Sequence, residues 1–319
     1  MPFISGAMRI GRQLSSPICV AIAFFVVAAI TVSFARFTSG VAMVWLAGAL
    51  LAGRLTDVPE RRWGPWLLLC GVANVIATGF FGMGWAASVP LAIINLGEAA
   101  GAALIWRRIT RAFWPDETLE WLVSFYIGIG LSVPLVSGGM AALVTWYISD
   151  LPPMENFSHW IIGHSLGMIA CLPLFRFFFW RMARGRSFLP RAEQWPFAFV
   201  VLGSFSVLTV AIFLLELRAL LVFPLLFIVV GAAMLEQSII ALLPVLLMAI
   251  GGTMTALEFG PIANMDFEYG DRMQFFQLYV AVSVLGALPV SIERHRRLNE
   301  LRQMKERIAA LESRTAPAY

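Results

Sequence analysis

AASVPLAIINLGEAAGAALIWRR, residues 86–108, decides the class of fold. From Ala86 to Trp106 the run holds one ionisable group, Glu98, and it closes on the pair Arg107-Arg108. A helix needs about 20 mostly apolar residues to cross the hydrocarbon core of a bilayer. Bases directly after such a run mark the cytoplasmic end of a span. Working outward, runs of the same kind fill 17–36, 38–55, 63–83, 119–146, 158–180, 195–216, 219–235, 237–258 and 273–292. The chain therefore reads as all-α, a polytopic transmembrane helix bundle of about ten spans. The pairs 17–36 with 38–55 and 219–235 with 237–258 are so tightly joined that each also reads as one hairpin or re-entrant segment, which gives eight.

Composition agrees. Hydrophobic residues make up 60% of the 319-residue chain and charged residues 13%, against about 25% charged in soluble domains. So few charges cannot cover a surface facing water, so the lipid bilayer is the expected partner of most of it. Cys19, Cys70 and Cys171 lie in apolar stretches without CxxC spacing and read as inert buried thiols. The net charge of +4 does not argue for nucleic acid, because the arginines sit in short loops beside apolar runs.

Those loops set an orientation. Arg54, Arg61 and Arg62 follow the second run, Arg107, Arg108 and Arg111 the fourth, Arg181, Arg184, Arg186 and Arg191 the sixth, and Arg294, Arg296 and Arg297 the tenth. The intervening loops 147–157 and 259–272 are acidic, with Asp150, Glu155, Asp266, Glu268 and Asp271. The positive-inside rule then places both termini in the cytoplasm of a multi-pass protein of the bacterial inner membrane. Residues 1–16 form a cytoplasmic segment leading into a retained signal-anchor, 17–292 the membrane domain, and 293–319 a cytoplasmic helical linker.

In that linker Leu301, Met304, Ile308 and Leu311 repeat at three, four and three residues, the seam of a coiled coil. No Gly occurs between Val290 and Ser313 and no Pro between Val290 and Ala316, so the last span should continue as one helix to about residue 311. A second copy of the helix is the simplest cover for the stripe, which predicts a homodimer.

Ionisable and amide groups inside spans are costly and mark function or helix–helix glue. Asn95 and Glu98 lie in the fourth run, with Gly97 and Gly101 at a spacing that would let a neighbouring helix approach. The sixth run carries His159, Trp160, Gly163, His164, Gly167 and Pro173. Five residues separate the two histidines and put them on different faces, so no metal is expected. Asn74 in the third run and Pro134 with Gly138-Gly139 in the fifth suggest a kinked, polar-lined interior. No P-loop, GxGxxG, HExxH or nucleophile elbow is present, so no catalytic residue and no cofactor is expected.

TSGVAMVWLAGALLAGRL (38–55), NLGEAAGAALIWRR (95–108), WIIGHSLGMIACLPLF (160–175), 223–263 and 273–297 together resemble the first type of membrane-associated sensor domain, the MASE-type integral input module of bacterial histidine kinases and diguanylate cyclases. The resemblance marks Ser39, Gly40, Asn95, Glu98, Trp160, Gly163, Gly167 and Pro173 as motif positions. Arg36-Phe37-Thr38 stands where the family has tryptophan and proline before its serine-glycine, and His164 where it has an aspartate. The resemblance implies a sensory module that detects a small-molecule, membrane or partner-protein signal and passes it through its last helix to a cytoplasmic output domain. Ligand-sensing candidates are then Glu98, Asn95, His164, Asn74, Trp160 and Ser39. The competing reading is a small-solute secondary transporter in which Glu98 and His164 form a coupling pair, although residues 17–146 and 158–292 show no internal repeat.

Overall fold

The computed structural model describes residues 13–34, 42, 44–113, 118–184 and 192–315, and among these every regular element is a helix. In chain order they are α1 (Pro17–Phe34), α2 (Leu46–Leu55), α3 (Gly64–Phe81), α4 (Trp85–Ala112), α5 (Leu119–Ser149), α6 (Pro153–Ala183), α7 (Trp195–Leu215), α8 (Val222–Met234), α9 (Gln237–Ile240), α10 (Leu242–Ala256) and α11 (Tyr269–Thr315). Six of them (α3, α4, α5, α6, α7 and α11) are long and apolar enough to cross a membrane. Of the other apolar runs, 17–36 falls on α1, which at 18 residues is as long as α3, and 38–55, 219–235 and 237–258 fall on shorter helices.

The run 38–55 is the clearest departure from expectation. Its described helix, α2, has ten residues, about 15 Å at 1.5 Å per residue, which is half a bilayer core. It is buried nearly all round, from Ala47 to Gly53 and at Leu55, as an apolar helix without a polar stripe must be. It packs against α6, α4 and α1, so it is an internal helix of the bundle and not a span. The motif positions Ser39 and Gly40 lie outside the described residues.

A helix that ends inside a bundle must find partners for its terminal backbone groups. Before α2, the Trp45 N–H donates to the carbonyl of Gly163 on α6 at 3.0 Å. After it, Arg107 of α4 donates to the carbonyls of Thr56 (3.0 Å) and Leu55 (3.3 Å), and to that of Val58. Arg294 does the same for the end of α8, donating to Leu235 and Met234. These arginines thus close helix ends as well as marking loops.

Two cores result. One surrounds α2 with residues of α1, α3, α4, α5 and α6, and the other joins α7, α8, α10 and α11. α6 serves both, giving Met168, Cys171 and Leu172 to the first and Leu166 to the second. Tyr126–Ser132 of α5 is a π-helical segment, in which the Ser132 hydroxyl donates to the Ile127 carbonyl at 2.8 Å. The Tyr126 hydroxyl donates to the carbonyl of Leu285 on α11 at 3.3 Å. In a regular helix that carbonyl would take the N–H of residue 289, but residue 289 is Pro, which has none.

α11 runs for 47 residues without a break, from inside the bundle into the tail. Leu301, Met304 and Ile308 are exposed on it, while the side chain of Leu311 lies outside the described residues. Small-residue packing is not where the spacing in α4 placed it. A Cβ on Gly97 or Gly101 would meet nothing within 4 Å, whereas Ala99, Ala102 and Ala103 are fully buried. The tight contact is at Gly167, where a Cβ would stand 2.3 Å from the Trp45 carbonyl oxygen.

Gly167→Ala is therefore expected to lower stability by about 1–3 kcal/mol through overpacking. Gly97→Ala should be neutral or stabilising, by up to about 1 kcal/mol. Unfolding of both variants in one detergent compares them, and equal effects would show that α2 and α6 are not in close contact.

Candidate functional site

Glu98 and Asn95 are three residues apart on α4, and Trp160 and His164 are four apart on α6, so each pair shares a helix face. The two faces meet at mid-bundle with Ser137 of α5 and with Trp45, just ahead of α2. All six side chains are buried. His164 Nδ1 lies 2.8 Å and 2.9 Å from the two carboxylate oxygens of Glu98. The carboxylate also accepts the Ser137 hydroxyl and the Trp160 Nε1–H, the latter at 3.4 Å. Trp160 donates to Ser137 Oγ as well, at 3.0 Å.

The imidazole is held on its faces too. The Trp160 indole stacks on it at 4.0 Å between ring centroids and 16° between planes, and the Trp45 indole at 5.7 Å and 20°. The Trp45–Gly163 backbone bond and the bare Cα of Gly167 put Trp45 within reach of His164. Gly138 makes room for Trp160: a Cβ there would stand 3.2 Å from the indole Cδ1.

A carboxylate in mid-membrane costs several kcal/mol unless hydrogen-bonded or paired. Here the Ser137 hydroxyl and the Trp160 N–H donate to one carboxylate from α4 and His164 Nδ1 lies against it, so the centre ties α4, α5 and α6 together.

A cavity of about 30 Å³ adjoins the pair, lined by Trp45, Thr78, Met83, Asn95, Trp160 and His164. It has room for a water-sized molecule or two. Asn95 Oδ1, buried at its edge, has no hydrogen-bond partner. Trp45 Nε1 is likewise buried without one. The cavity wall thus presents an unused acceptor and carries a residue with an unused donor.

The structure brings Asn95, Glu98, Trp160, Gly163, His164 and Gly167 together. Asn74 stands apart on α3, where its amide oxygen accepts the Thr78 hydroxyl at 3.0 Å, and Thr78 rather than Asn74 reaches the cavity. Pro173 lies further along α6 and lines a different cavity. His159 is buried away from the pair, toward Glu155 and Asp271. No group of three or more His, Cys, Asp or Glu that could hold a metal occurs among the described residues.

Ser137 and Trp45 were not singled out from the sequence. The run Val133–Met140, which places Ser137 between Pro134 and Gly138-Gly139, held the signal for the first. Trp45 offered only its position in the apolar run 38–55.

The fold and this centre define an all-helical integral membrane module with a buried carboxylate–imidazole pair. The MASE1 family profile matches residues 16–298, and the chain belongs to that family. It is a membrane sensory input module, integral to the inner membrane. Over 150 residues it is 21% identical to a probable diguanylate cyclase, DgcE, of Escherichia coli K12. The match covers 47% of this chain and 13% of that protein, so the chain corresponds to a small part of its relative. No solved structure gives a significant match.

Glu98→Leu is expected to destabilise the protein by about 3–5 kcal/mol, because it leaves buried donors unpaired. Adding His164→Leu should recover part of that loss. Unfolding of both single variants and the double variant against the parent measures the coupling, and strictly additive losses would mean that the two groups do not act as a pair.

Proposed function

We propose that the module detects its signal at the Glu98–His164 centre and passes it through α11 to a cytoplasmic output domain of the diguanylate cyclase or histidine kinase type. The observation that carries this reading is the continuity of α11. One helix takes Phe276, Val280, Val284 and Ala287 from the core and leads out to the exposed stripe Leu301, Met304 and Ile308. In this reading both termini are cytoplasmic, as the arginine-rich loops indicate, and the stripe pairs with that of a second copy in a parallel coiled coil.

Two contacts link the sensing centre to α11. α6, which bears Trp160 and His164, packs directly on it. α5, which bears Ser137, reaches it through the Tyr126 hydroxyl on the carbonyl that Pro289 leaves without a helical partner. A ligand, or a proton, that changes how Glu98 is held by Ser137, Trp160 and His164 shifts α5 and α6 together. The output helix then moves about its proline. The cavity beside the pair is the entry for the signal, and its Asn95 acceptor is the group that a hydrogen-bonding ligand would satisfy.

The test is a fusion of residues 1–319 to an intact diguanylate cyclase domain, read by cyclic dinucleotide output in membranes. Glu98→Gln and His164→Asn should each shift that output at least several-fold at unchanged protein level. Tyr126→Phe should also shift it and should destabilise by about 1 kcal/mol. In a Pro289→Ala background, where residue 289 regains its N–H, both effects of Tyr126→Phe should largely vanish. Cysteines at 304 and 308, in a chain freed of its three native cysteines, should cross-link between copies. Unchanged output in all three variants, with no cross-link in folded protein, would leave the sensory reading without support.

A further inference from the structure

A second cavity, of about 110 Å³, lies between α6, the start of α10 and α11. Its walls include Ala170, Pro173, Phe177, Pro244 and Ala287, with the hydroxyl-bearing Ser291 at one side. It lies beside two helix prolines and a short connection. Pro173 sits inside α6, only the one-turn α9 lies between α8 and α10, and Pro289 sits inside α11.

Its chemistry selects the occupant. Apart from Ser291, the side chains that line it are hydrocarbon or aromatic. Water needs two to four polar partners, and apolar cavities of about this size stay dry and take up small hydrocarbons or xenon. The cavity is partly open rather than enclosed. Outside it the molecule is covered by apolar side chains, with Phe199, Val200, Val245, Leu278 and Val282 all exposed. In a bilayer the species in overwhelming excess at such a mouth is an acyl chain.

We infer that the cavity between α6, α10 and α11 is a binding site for the end of a membrane lipid acyl chain, seated against the output helix beside its proline. Val284, Ala287 and Leu288 line it close to Pro289, on the stretch where the Tyr126 hydroxyl holds Leu285. A chain end that fills it supports the spacing between α6 and α11, and one too bulky to enter leaves that spacing unsupported. The regulatory consequence rests on the sensory reading above, whereas the binding site does not.

The test uses the full chain in lipid nanodiscs containing a phosphatidylcholine with a diazirine at its acyl terminus. After photolysis, adducts are mapped by mass spectrometry. The expected result is labelling at Leu174, Phe177, Val284 or Ala287, besides general labelling of exposed positions such as Phe199 and Val200. Ala287→Phe, which fills the cavity, should cut the cavity adducts at least fivefold and leave those on α7 unchanged. Ala170→Phe serves the same purpose if Ala287→Phe does not elute as a folded species. No adducts on cavity residues, or equal labelling in the filled variants, would overturn the site. In the cyclase fusion, lost adducts with a shifted output support the regulatory consequence. Lost adducts with unchanged output overturn that consequence while the site stands.

Discussion

The hydrogen bond from the Trp45 N–H to the Gly163 carbonyl is the contact on which the arrangement depends. Non-helical backbone at membrane depth survives only where protein satisfies its polar groups. Val44 and Trp45, just ahead of α2, are such a backbone, and α6 supplies the acceptor. Close approach is needed to make that bond, and the glycine at 167 permits it, because any side chain there would run into the Trp45 carbonyl. At the other end of α2, one guanidinium spreads over three carbonyls. A ten-residue helix that could not hold itself in a bilayer is thereby fixed between α4 and α6. Once it is fixed, Trp45 has its ring against His164.

The Glu98 centre obeys the same logic with side chains. A carboxylate in an apolar bundle is tolerable when donors surround it, and the donors here come from two helices other than its own. Such a group is costly to disturb, which makes it a sound structural pin. It is also responsive, because any molecule that competes for one of its hydrogen bonds competes with the packing of the bundle. Structural and sensory roles are therefore compatible in a single pair.

Much of this was legible in the sequence, and the rest had identifiable reasons for being hidden. Run length and loop charge located the helices because burial in lipid imposes both. Glu98 and His164 stood out because each is polar in an apolar stretch, and their burial against polar partners is a consequence of that cost. Their meeting with Ser137 and Trp45 depends on which helices become neighbours, which periodicity within one helix does not encode. The spacing of Gly97 and Gly101 misled for the same reason: it describes a surface able to receive a helix, and here α4 turns its alanines inward instead. The run 38–55 was long and apolar enough for a span, but an apolar run serves a helix buried in protein equally well. The π-helical segment has no local signature beyond the glycines at 128 and 130, and the acceptor for Tyr126 became visible only when Pro289 lay opposite it.

That π-helical segment has a consequence for how α5 is put together. A π turn takes up about one residue more than an α turn, so the helix beyond it is rotated by roughly 100° relative to an uninterrupted one. Ahead of the segment, Trp121 and Phe125 are locked edge-on to Trp106 of α4. Beyond it, Ser137 is aimed at Glu98 of that same α4. α5 is therefore two rods joined at a seam, each indexed to a different level of α4, and the seam supplies the angular offset that lets both engage. Removing one residue between 126 and 132 would straighten the rod and point position 137 elsewhere, although no residue that touches Glu98 had been changed.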